Sequence, residues 1–295
     1  MTIDYESEYD NSGRVPNSAK LIDGYGDDAA AFREEWEHAT RDLPYGPGAR
    51  NDIDIFWPTA EMSADDVPIA MFIHGGYWQR LDRRTFSHMA NGLVRSGIAV
   101  AIPSYTLAPE ESIAGIVEEM RRAALFLFKS FGRRPFVFGH SAGGHLAACL
   151  ATTNWRSLEP DLPRHLVPEA VGISGVYDLE PLVATSHNEA LGLDAAEART
   201  VSPIHALPDA RFPFHAWVGA DESSEFVRQS RDLARRWRLL GAATQFREIE
   251  NANHFTVILP LADPGSQMVQ ELADMCRSQH DAARDEKQEE AVDEA

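Results

Sequence analysis

A serine set among small residues is the group in this chain of 295 residues whose surroundings most clearly suggest chemistry. The pentapeptide Gly139-His-Ser-Ala-Gly143 follows the apolar run 135–138 and precedes the helix-forming run 144–151. Glycine near both ends removes Cβ clashes, so a strand can turn abruptly into a helix and hold the serine in strained backbone geometry. The pattern predicts a nucleophile elbow, with Ser141 as the attacking hydroxyl.

A serine hydroxyl is a poor nucleophile at neutral pH, so Ser141 needs a histidine as base and a carboxylate to orient that histidine. In folds with such an elbow, these groups follow in the chain order serine, acid, histidine, each beyond the end of a later strand. Asp221 follows one later apolar run, and His254 lies in the loop after the next. We therefore predict a triad of Ser141, Asp221 and His254, with neighbouring Glu222 and the earlier Asp178 as alternatives for the acid.

The oxyanion that forms when a serine attacks a carbonyl carbon must be held by preorganised N–H donors. The residue after the nucleophile, Ala142, can supply one donor from the start of the predicted helix. Further donors are expected from a loop after an earlier strand, and the glycines after the apolar run 71–73 suit that role because backbone without side chains can approach a substrate. The predicted oxyanion hole consists of Gly75, Gly76 and Ala142.

Three aromatic residues near these motifs are candidates for binding substrate. Tyr77 and Trp78 follow the two glycines directly, and Phe226 follows Asp221 closely enough to reach the same pocket. His74 and His140 are expected to have structural roles. His140 and His145 are five positions apart, which puts them on different faces of any helix, so no metal site is expected.

The elements that must position these residues alternate along the chain, which indicates an α/β fold with a mostly parallel, twisted sheet and helices on both faces. The predicted strands are 53–57, 69–73, 99–103, 136–139, 170–174, 214–218 and 244–249, and the predicted helices are 112–131, 142–151, 225–240 and 265–277. A single domain over residues 1–280 is expected. An N-terminal arm (5–48), with a helix over 28–40, and an insertion after the fifth strand (179–211) are expected to form a small cap, and the acidic residues 281–295 a disordered tail.

Composition excludes several classes of partner. A formal net charge of −19 disfavours nucleic acid and anionic membranes, both of which need basic patches. No apolar stretch approaches the roughly 18 residues of a membrane span, and the N-terminus lacks the pattern of a signal peptide. With two cysteines, Cys149 and Cys276, a disulfide framework is not expected, so the predicted compartment is the cytoplasm.

Taken together, these motifs resemble the α/β-hydrolase superfamily and, within it, the serine-dependent kynurenine formamidase (arylformamidase) branch. The resemblance rests on His74-Gly-Gly-Tyr-Trp78, Gly139-His-Ser-Ala-Gly-Gly-His145, Gly219-Ala-Asp-Glu-Ser-Ser-Glu-Phe226, Asn253-His-Phe255 and the N-terminal Tyr9-Asp-Asn-Ser-Gly-Arg-Val-Pro16. It covers most of residues 9–277, and the superfamily motifs are more specific than those of the branch.

The resemblance implies hydrolysis of N-formyl-L-kynurenine to L-kynurenine and formate, a step of tryptophan catabolism, with no cofactor. Ser141 would attack the formyl carbon, His254 would move the proton, and Asp221 would orient the imidazole. Fold does not fix substrate, so a carboxylesterase or amidase acting on another small aryl ester, amide or carbamate is a second reading. A non-catalytic ligand-binding protein on the same fold is a third. The expected partner is a small aromatic amide or ester, and a homodimer is possible.

Overall fold

Short apolar runs in the chain assemble into one sheet of eight strands in the computed structural model, which describes residues 3–59 and 67–293. The strands are β1 (Ala39–Pro44), β2 (Asp52–Phe56), β3 (Ile69–Ile73), β4 (Ala99–Pro103), β5 (Phe136–His140), β6 (Ala170–Ile173), β7 (Pro213–Gly219) and β8 (Ala243–Ile249). Their order across the sheet is β1-β2-β4-β3-β5-β6-β7-β8. Strand β2 pairs antiparallel with β1 and β4, and the neighbours from β4 to β8 pair in parallel.

Helices and short 3₁₀ segments connect the strands. The α-helices are α1 (Tyr5–Tyr9), α2 (Asn11–Arg14), α3 (Ser18–Glu35), α4 (Asn91–Arg95), α5 (Ile113–Phe131), α6 (Ala142–Ala151), α7 (Trp155–Leu158), α8 (Asn188–Leu191), α9 (Ala195–Thr200), α10 (Ser224–Leu239) and α11 (Gln267–Asp293). The 3₁₀ segments are Arg83–Ala90, Glu180–Ala184, Pro203–His205 and Thr256–Ala262. None of the helices within the described ranges is both long enough and apolar enough to cross a bilayer.

The sheet is covered on both faces, which is why its central strands are continuous apolar runs. Every residue of β3, β4 and β5 is buried. On one face, side chains of α5, α6 and α10 form a core that includes Leu146 and Trp237. On the other face, α3, α4 and α11 contribute a second core that includes Phe32 and Leu272. The α/β fold predicted from the sequence is therefore confirmed.

The predicted strands and helices of the sheet are present, but the N-terminal arm differs from the expectation. A helix was predicted over 28–40, whereas α3 ends at Glu35 and Ala39 begins the additional strand β1. Helix α3 also starts ten residues earlier than expected and includes Gly24 and Gly26. Burial of apolar side chains against the second core stabilises this helix despite the low helix propensity of glycine.

The C-terminal segment also differs from the expectation. Residues 281–295 were predicted to be a disordered tail, but α11 continues to Asp293, and the last two residues of that range lie outside the described residues. The segment is rich in alanine, glutamate, glutamine, arginine and lysine, which are strong helix formers, so the helix propagates beyond its buried first turns. The insertion after β6 has little regular structure apart from α8, α9 and two 3₁₀ segments.

Candidate active site

The sharp turn between β5 and α6 holds Ser141 in a conformation that side chains rarely adopt. Its backbone angles are φ 57° and ψ −118°, and its amide donates to the carbonyl of Ile173, 2.8 Å away. A methyl group at Gly143 would lie 1.9 Å from the carbonyl oxygen of Ile73, and one at Gly139 would lie 2.2 Å from the carbonyl oxygen of Gly143. Glycine is therefore required at both positions by close backbone approach, as the sequence pattern implied.

His254 lies beside the serine hydroxyl. Its Nε2 is 3.1 Å from Oγ of Ser141, within hydrogen-bond distance. The residue follows β8 and precedes the 3₁₀ segment Thr256–Ala262, and its ring is buried. The rings of Phe226 and Phe255 pack against it, with centroids 4.7 and 5.6 Å away. These contacts fix the imidazole with one nitrogen directed at the serine, as a base for that hydroxyl requires.

The carboxylate that orients this histidine belongs to Glu222 and not to the predicted Asp221. Oε2 of Glu222 lies 2.6 Å from Nδ1 of His254, and the glutamate side chain is fully buried. Its Oε1 accepts hydrogen bonds from the amide of Gly219, at 2.7 Å, and from the hydroxyl of Ser174. A carboxylate on Nδ1 keeps the proton there and leaves Nε2 free to accept one from the serine. Asp178, the other alternative, forms no hydrogen bond or ion pair with His254 within the described ranges.

The prediction of Asp221 was wrong because the turn after β7 points that residue outward. The amide of Asp221 donates to the carbonyl of Ala252 at 3.0 Å, and the amide of Glu222 donates to the carbonyl of Gly219 at 3.2 Å. These bonds close a tight turn that leaves the side chain of Asp221 exposed and brings the next side chain inward. The extra methylene of glutamate lets a carboxylate one position later reach the imidazole.

The loop after β3 brings its glycines against the elbow. A methyl group at Gly75 would lie 3.0 Å from the carbonyl oxygen of His140 and 3.0 Å from Cβ of Ser141. Gly76 has φ +120°, and a methyl there would lie 2.2 Å from the carbonyl oxygen of Arg80. Within the part of the chain that the structure describes, the amides of Gly75, Gly76 and Ala142 donate no hydrogen bond. These N–H groups remain available to an oxyanion formed at Ser141.

Two further histidines are packed around the site. His140 bonds through Nε2 to the carbonyl of His254 at 2.9 Å, and burial lowers its pKa well below the usual value. His74 is stacked on Tyr105, with centroids 4.4 Å apart, bonds through Nδ1 to the carbonyl of Gly75, and has a pKa lowered to about 4 by burial. Both rings are therefore neutral at pH 7, and they support the elbow and the glycine loop without adding charge.

A small cleft opens onto Ser141, with a volume of about 40 Å³. It is lined by Asn11, Ile22, Tyr25, Gly75, Gly76, Tyr77, Arg80, Leu81, Phe86, His140, Ser141, His254 and Phe255. Because a bound water needs roughly 10–15 Å³, the space beside the serine has room for about three waters. The space next to the serine hydroxyl is therefore small.

Of the three aromatic residues predicted to bind substrate, the structure brings only Tyr77 to the cleft. Trp78 is fully buried in the core, where its ring meets the edge of His145 at 5.0 Å. Phe226 packs on His254 and on Tyr9, and it supports the imidazole from behind. Both residues lie near the predicted motifs, but the sequence pattern does not show in which direction the loop and the helix turn their side chains.

The N-terminal arm supplies walls of the cleft that the sequence analysis did not assign by residue. Asn11, Ile22 and Tyr25 line it. The hydroxyl of Tyr77 donates to the carbonyl of Tyr9 at 2.6 Å and accepts from the side chain of Asn11 at 3.2 Å. The arm is thus bonded directly to the loop that carries the glycines.

Further bonds hold the arm to α10 and to the insertion. The carboxylate of Glu8 accepts from the hydroxyl of Ser224 at 2.8 Å and from the amide of Glu225 at 3.0 Å, next to the first turn of that helix. The carboxylate of Glu6 accepts from the amide of Ser186 at 2.7 Å. The pKa values of both carboxylates are lowered. At Glu6 the main cause is the hydrogen bonds from Ser186. At Glu8 desolvation raises the pKa, and the hydrogen bonds from Ser224 and Glu225 act against it.

One group of side chains in the described ranges has the donor atoms and spacing of a metal site. Donor atoms of Asp178, Glu180 and His205 lie within 4.8 Å of one another. Glu180 already pairs with Arg199, at 2.9 Å, and with His205, at 3.2 Å. None of the three lines the cleft at Ser141.

A mostly parallel sheet flanked by helices, with a strained serine at the turn after β5, defines the α/β-hydrolase class of enzymes. Residues 53–235 match the BD-FAE family, and the chain belongs to this family. Kynurenine formamidase from Danio rerio is 30% identical over 229 residues, which cover 75% of this chain and 76% of that protein. Kynurenine formamidase from Salmo salar is 30% identical over 244 residues, covering 79% and 80%. The resemblance to the kynurenine formamidase branch is confirmed.

Solved structures agree with this assignment. The crystal structure of a putative thioesterase from Silicibacter sp. TM1040 superposes with a TM-score of 0.81 at 32% identity, covering 91% of this chain and 98% of that one. The carboxylesterase EstE1 from a metagenomic library shares the fold, with a TM-score of 0.71 at 20% identity, covering 89% and 96%. The chain is therefore a hydrolytic enzyme related to formamidases and esterases.

Proposed function

We propose that the protein is a serine hydrolase that cleaves small aryl formamides, with N-formyl-L-kynurenine as its substrate and L-kynurenine and formate as products. The observation that carries this proposal is the cleft of about 40 Å³ beside Ser141, which suits a formyl group and little more. The identity to the kynurenine formamidases of two fishes supports the same substrate. This reaction would make the protein an enzyme of tryptophan catabolism.

In the proposed first step, Oγ of Ser141 attacks the formyl carbon while Nε2 of His254 takes its proton. Glu222 holds the opposite nitrogen and stabilises the imidazolium that forms. The negative charge that develops on the formyl oxygen is held by the amides of Gly75, Gly76 and Ala142. Removing one such donor from an oxyanion hole typically costs about 10²–10³ in kcat.

The tetrahedral intermediate then collapses with cleavage of the carbon–nitrogen bond. The arylamine nitrogen takes the proton from His254 and leaves as the free amine, while the formyl group remains on Ser141. In the second half of the reaction, His254 removes a proton from a water that attacks the formyl carbon. Formate leaves, and the proton returns to Oγ of Ser141. No metal or organic cofactor takes part in this scheme.

A second candidate function is hydrolysis of small aryl esters, amides or carbamates. The same cleft would accept an acetyl group, and the esterase LipQ from Mycobacterium tuberculosis is 27% identical over 242 residues, covering 73% of this chain and 56% of that protein. An ester needs less help for its leaving group, so both substrates could react at the same serine.

Turnover of N-formyl-L-kynurenine, p-nitrophenyl acetate and p-nitrophenyl butyrate by the wild type and by Ser141→Ala tests the proposal. We expect deformylation to exceed acetate hydrolysis in kcat/KM, and acetate to exceed butyrate by about tenfold or more, since each misfitted methylene costs about 1–3 kcal/mol. Ser141→Ala should lose about 10⁴–10⁶ in kcat. Ester hydrolysis without deformylation would favour the second function, and activity that survives the alanine variant would exclude the mechanism.

A further inference from the structure

The cleft at Ser141 has a charged side chain that the chemistry above does not use. Among the described residues that line the cleft, Arg80 alone carries a permanent charge. Its guanidinium forms no ion pair and donates no hydrogen bond within the described ranges, and the side chain is exposed. Most other arginines of the described chain do have partners, for example Arg84 with Asp42 at 3.1 Å.

The backbone of Arg80 is fixed, although its guanidinium has no partner among the described residues. Its amide donates to the carbonyl of Gly76 at 3.1 Å, and its own carbonyl lies where a side chain on Gly76 would have to be. The residue therefore has a set position relative to the glycine loop and to Ser141. A long, planar cation held at its base and free at its tip is suited to a ligand that brings its own anion.

The negative overall charge of the protein makes a positively charged side chain at the cleft more important for binding an anionic group. With a formal net charge of −19, the surface as a whole repels anions. A carboxylate group of a substrate therefore needs a local cation at the entrance to the site. Arginine binds carboxylates through two parallel hydrogen bonds, which gives orientation as well as attraction.

We propose that Arg80 is a specificity-determining residue that binds a carboxylate on the leaving group of the substrate. The inference rests on the proposed function, because it assigns the formyl side to the small space beside Ser141 and the leaving group to the open side of the cleft. The preferred substrates are then aryl formamides or aryl esters whose aromatic part carries a carboxylate. N-Formyl-L-kynurenine has such a carboxylate in its amino-acid portion.

The experiment compares two formamides with the same reacting centre, N-formyl-L-kynurenine and the neutral 2-formamidoacetophenone, which lacks the amino-acid portion. Both are assayed with the wild type, Arg80→Gln, Arg80→Lys and the control Arg84→Gln. We expect Arg80→Gln to lower kcat/KM for N-formyl-L-kynurenine by about 10- to 100-fold, mainly through KM, the usual range for a hydrogen bond to a charged group. Its kcat/KM for the neutral formamide should stay within about twofold, Arg80→Lys should retain part of the preference, and Arg84→Gln should match the wild type.

A second pair of substrates separates this inference from the proposed function. If the wild type deformylates neither compound, the formamidase proposal fails, and the same variants are assayed with 4-acetoxybenzoate and phenyl acetate. A preference for the carboxylated ester that Arg80→Gln removes would still support the role of Arg80. The role of Arg80 would be overturned if Arg80→Gln had an equal effect, or no effect, on the carboxylated and the neutral substrate of whichever pair the enzyme hydrolyses.

Discussion

Oε2 of Glu222 lies 2.6 Å from Nδ1 of His254, while the side chain of the adjacent Asp221 is exposed. Replacing the buried glutamate by glutamine keeps its size but offers a donor to Nδ1, which favours the wrong imidazole tautomer. We expect Glu222→Gln to reduce kcat by about 10³–10⁴, the order seen when an acid of this kind is made an amide. Steady-state kinetics with p-nitrophenyl acetate measures the loss.

Asp221→Asn is the matched control for that variant. It makes the same chemical change one residue earlier, on a side chain directed at solvent, and its kcat should stay within about twofold of the wild type because exposed substitutions have small effects. A larger loss in Asp221→Asn than in Glu222→Gln would contradict the geometry described above.

The glycines provide a prediction about stability. A methyl at Gly143 would meet the carbonyl oxygen of Ile73 at 1.9 Å, so Gly143→Ala must displace either β3 or α6. We expect a loss of about 3 kcal/mol or more in the free energy of unfolding, at or above the upper end for overpacked cores. Urea denaturation followed by circular dichroism gives this quantity.

Gly24→Ala makes the same substitution where nothing lies within 4 Å, inside α3. Alanine has the higher helix propensity, so this variant should be more stable than the wild type by about 0.5–1 kcal/mol. Equal destabilisation by the two variants would show that space around the glycine does not decide the effect.

Buried histidines predict a loss of stability in mild acid. Burial lowers the pKa of His74, His88 and His145 to about 4, whereas a histidine in the unfolded chain titrates near 6.5. Between these values the unfolded chain binds protons that the folded protein does not, so stability is complete above about pH 6.5 and falls as the pH drops towards 4. Each histidine should contribute a loss of about 1–2 kcal/mol by pH 5, measurable by urea denaturation at pH 7.5, 6 and 5.

His88→Leu tests that account, because both ring nitrogens of His88 are buried and lack hydrogen-bond partners among the described residues. The decrease in unfolding free energy from pH 7.5 to 5 should be about 1–2 kcal/mol smaller than in the wild type. His38→Gln, at an exposed position, should leave the decrease unchanged. Parallel curves for wild type and His88→Leu would rule out this origin of acid sensitivity.

Removing one oxygen atom breaks hydrogen bonds between the N-terminal arm and the loop that carries Gly75 and Gly76. Tyr77→Phe removes the hydroxyl that donates to the carbonyl of Tyr9 and accepts from Asn11. We expect a loss of about 1–3 kcal/mol in unfolding free energy, since buried groups lose their partners, and a higher KM because the arm lines the cleft. Tyr5→Phe, whose hydroxyl makes no hydrogen bond in the described chain, should alter neither quantity. An unchanged KM in Tyr77→Phe would mean that the arm does not shape the site.

The central fold could be predicted closely because its signals are local. Strands β3 and β4 begin and end at the predicted residues, since each is an apolar run buried on both faces and bounded by polar or turn residues. Strand β1 was missed because most of its side chains are exposed. It is held by backbone pairing with β2, which leaves no pattern in the side chains.

The site was predictable where sequence position alone decides geometry, as it does for the elbow serine and for a histidine after β8. The acid was not predictable, because a backbone bond from Asp221 to the distant Ala252 decides which carboxylate faces inward. The walls of the cleft were not predictable for a similar reason. Asn11 meets Tyr77 across 66 positions of sequence, and no local pattern marks such a pair.

The hydrogen bonds of the N-terminal arm join residues that lie far apart in the sequence and are therefore synthesised at different times. Glu8 bonds to Ser224 across 216 positions, and Tyr9 to Gln229 across 220. Contacts of such long range require a long loop to close before they are gained, which costs conformational entropy. The arm therefore cannot dock until α10, more than two hundred positions later, has been made. A chain made only as far as Ser141 has neither His254 nor the contacts between the arm and α10, so the residues around the serine come together only after the later strands have been made.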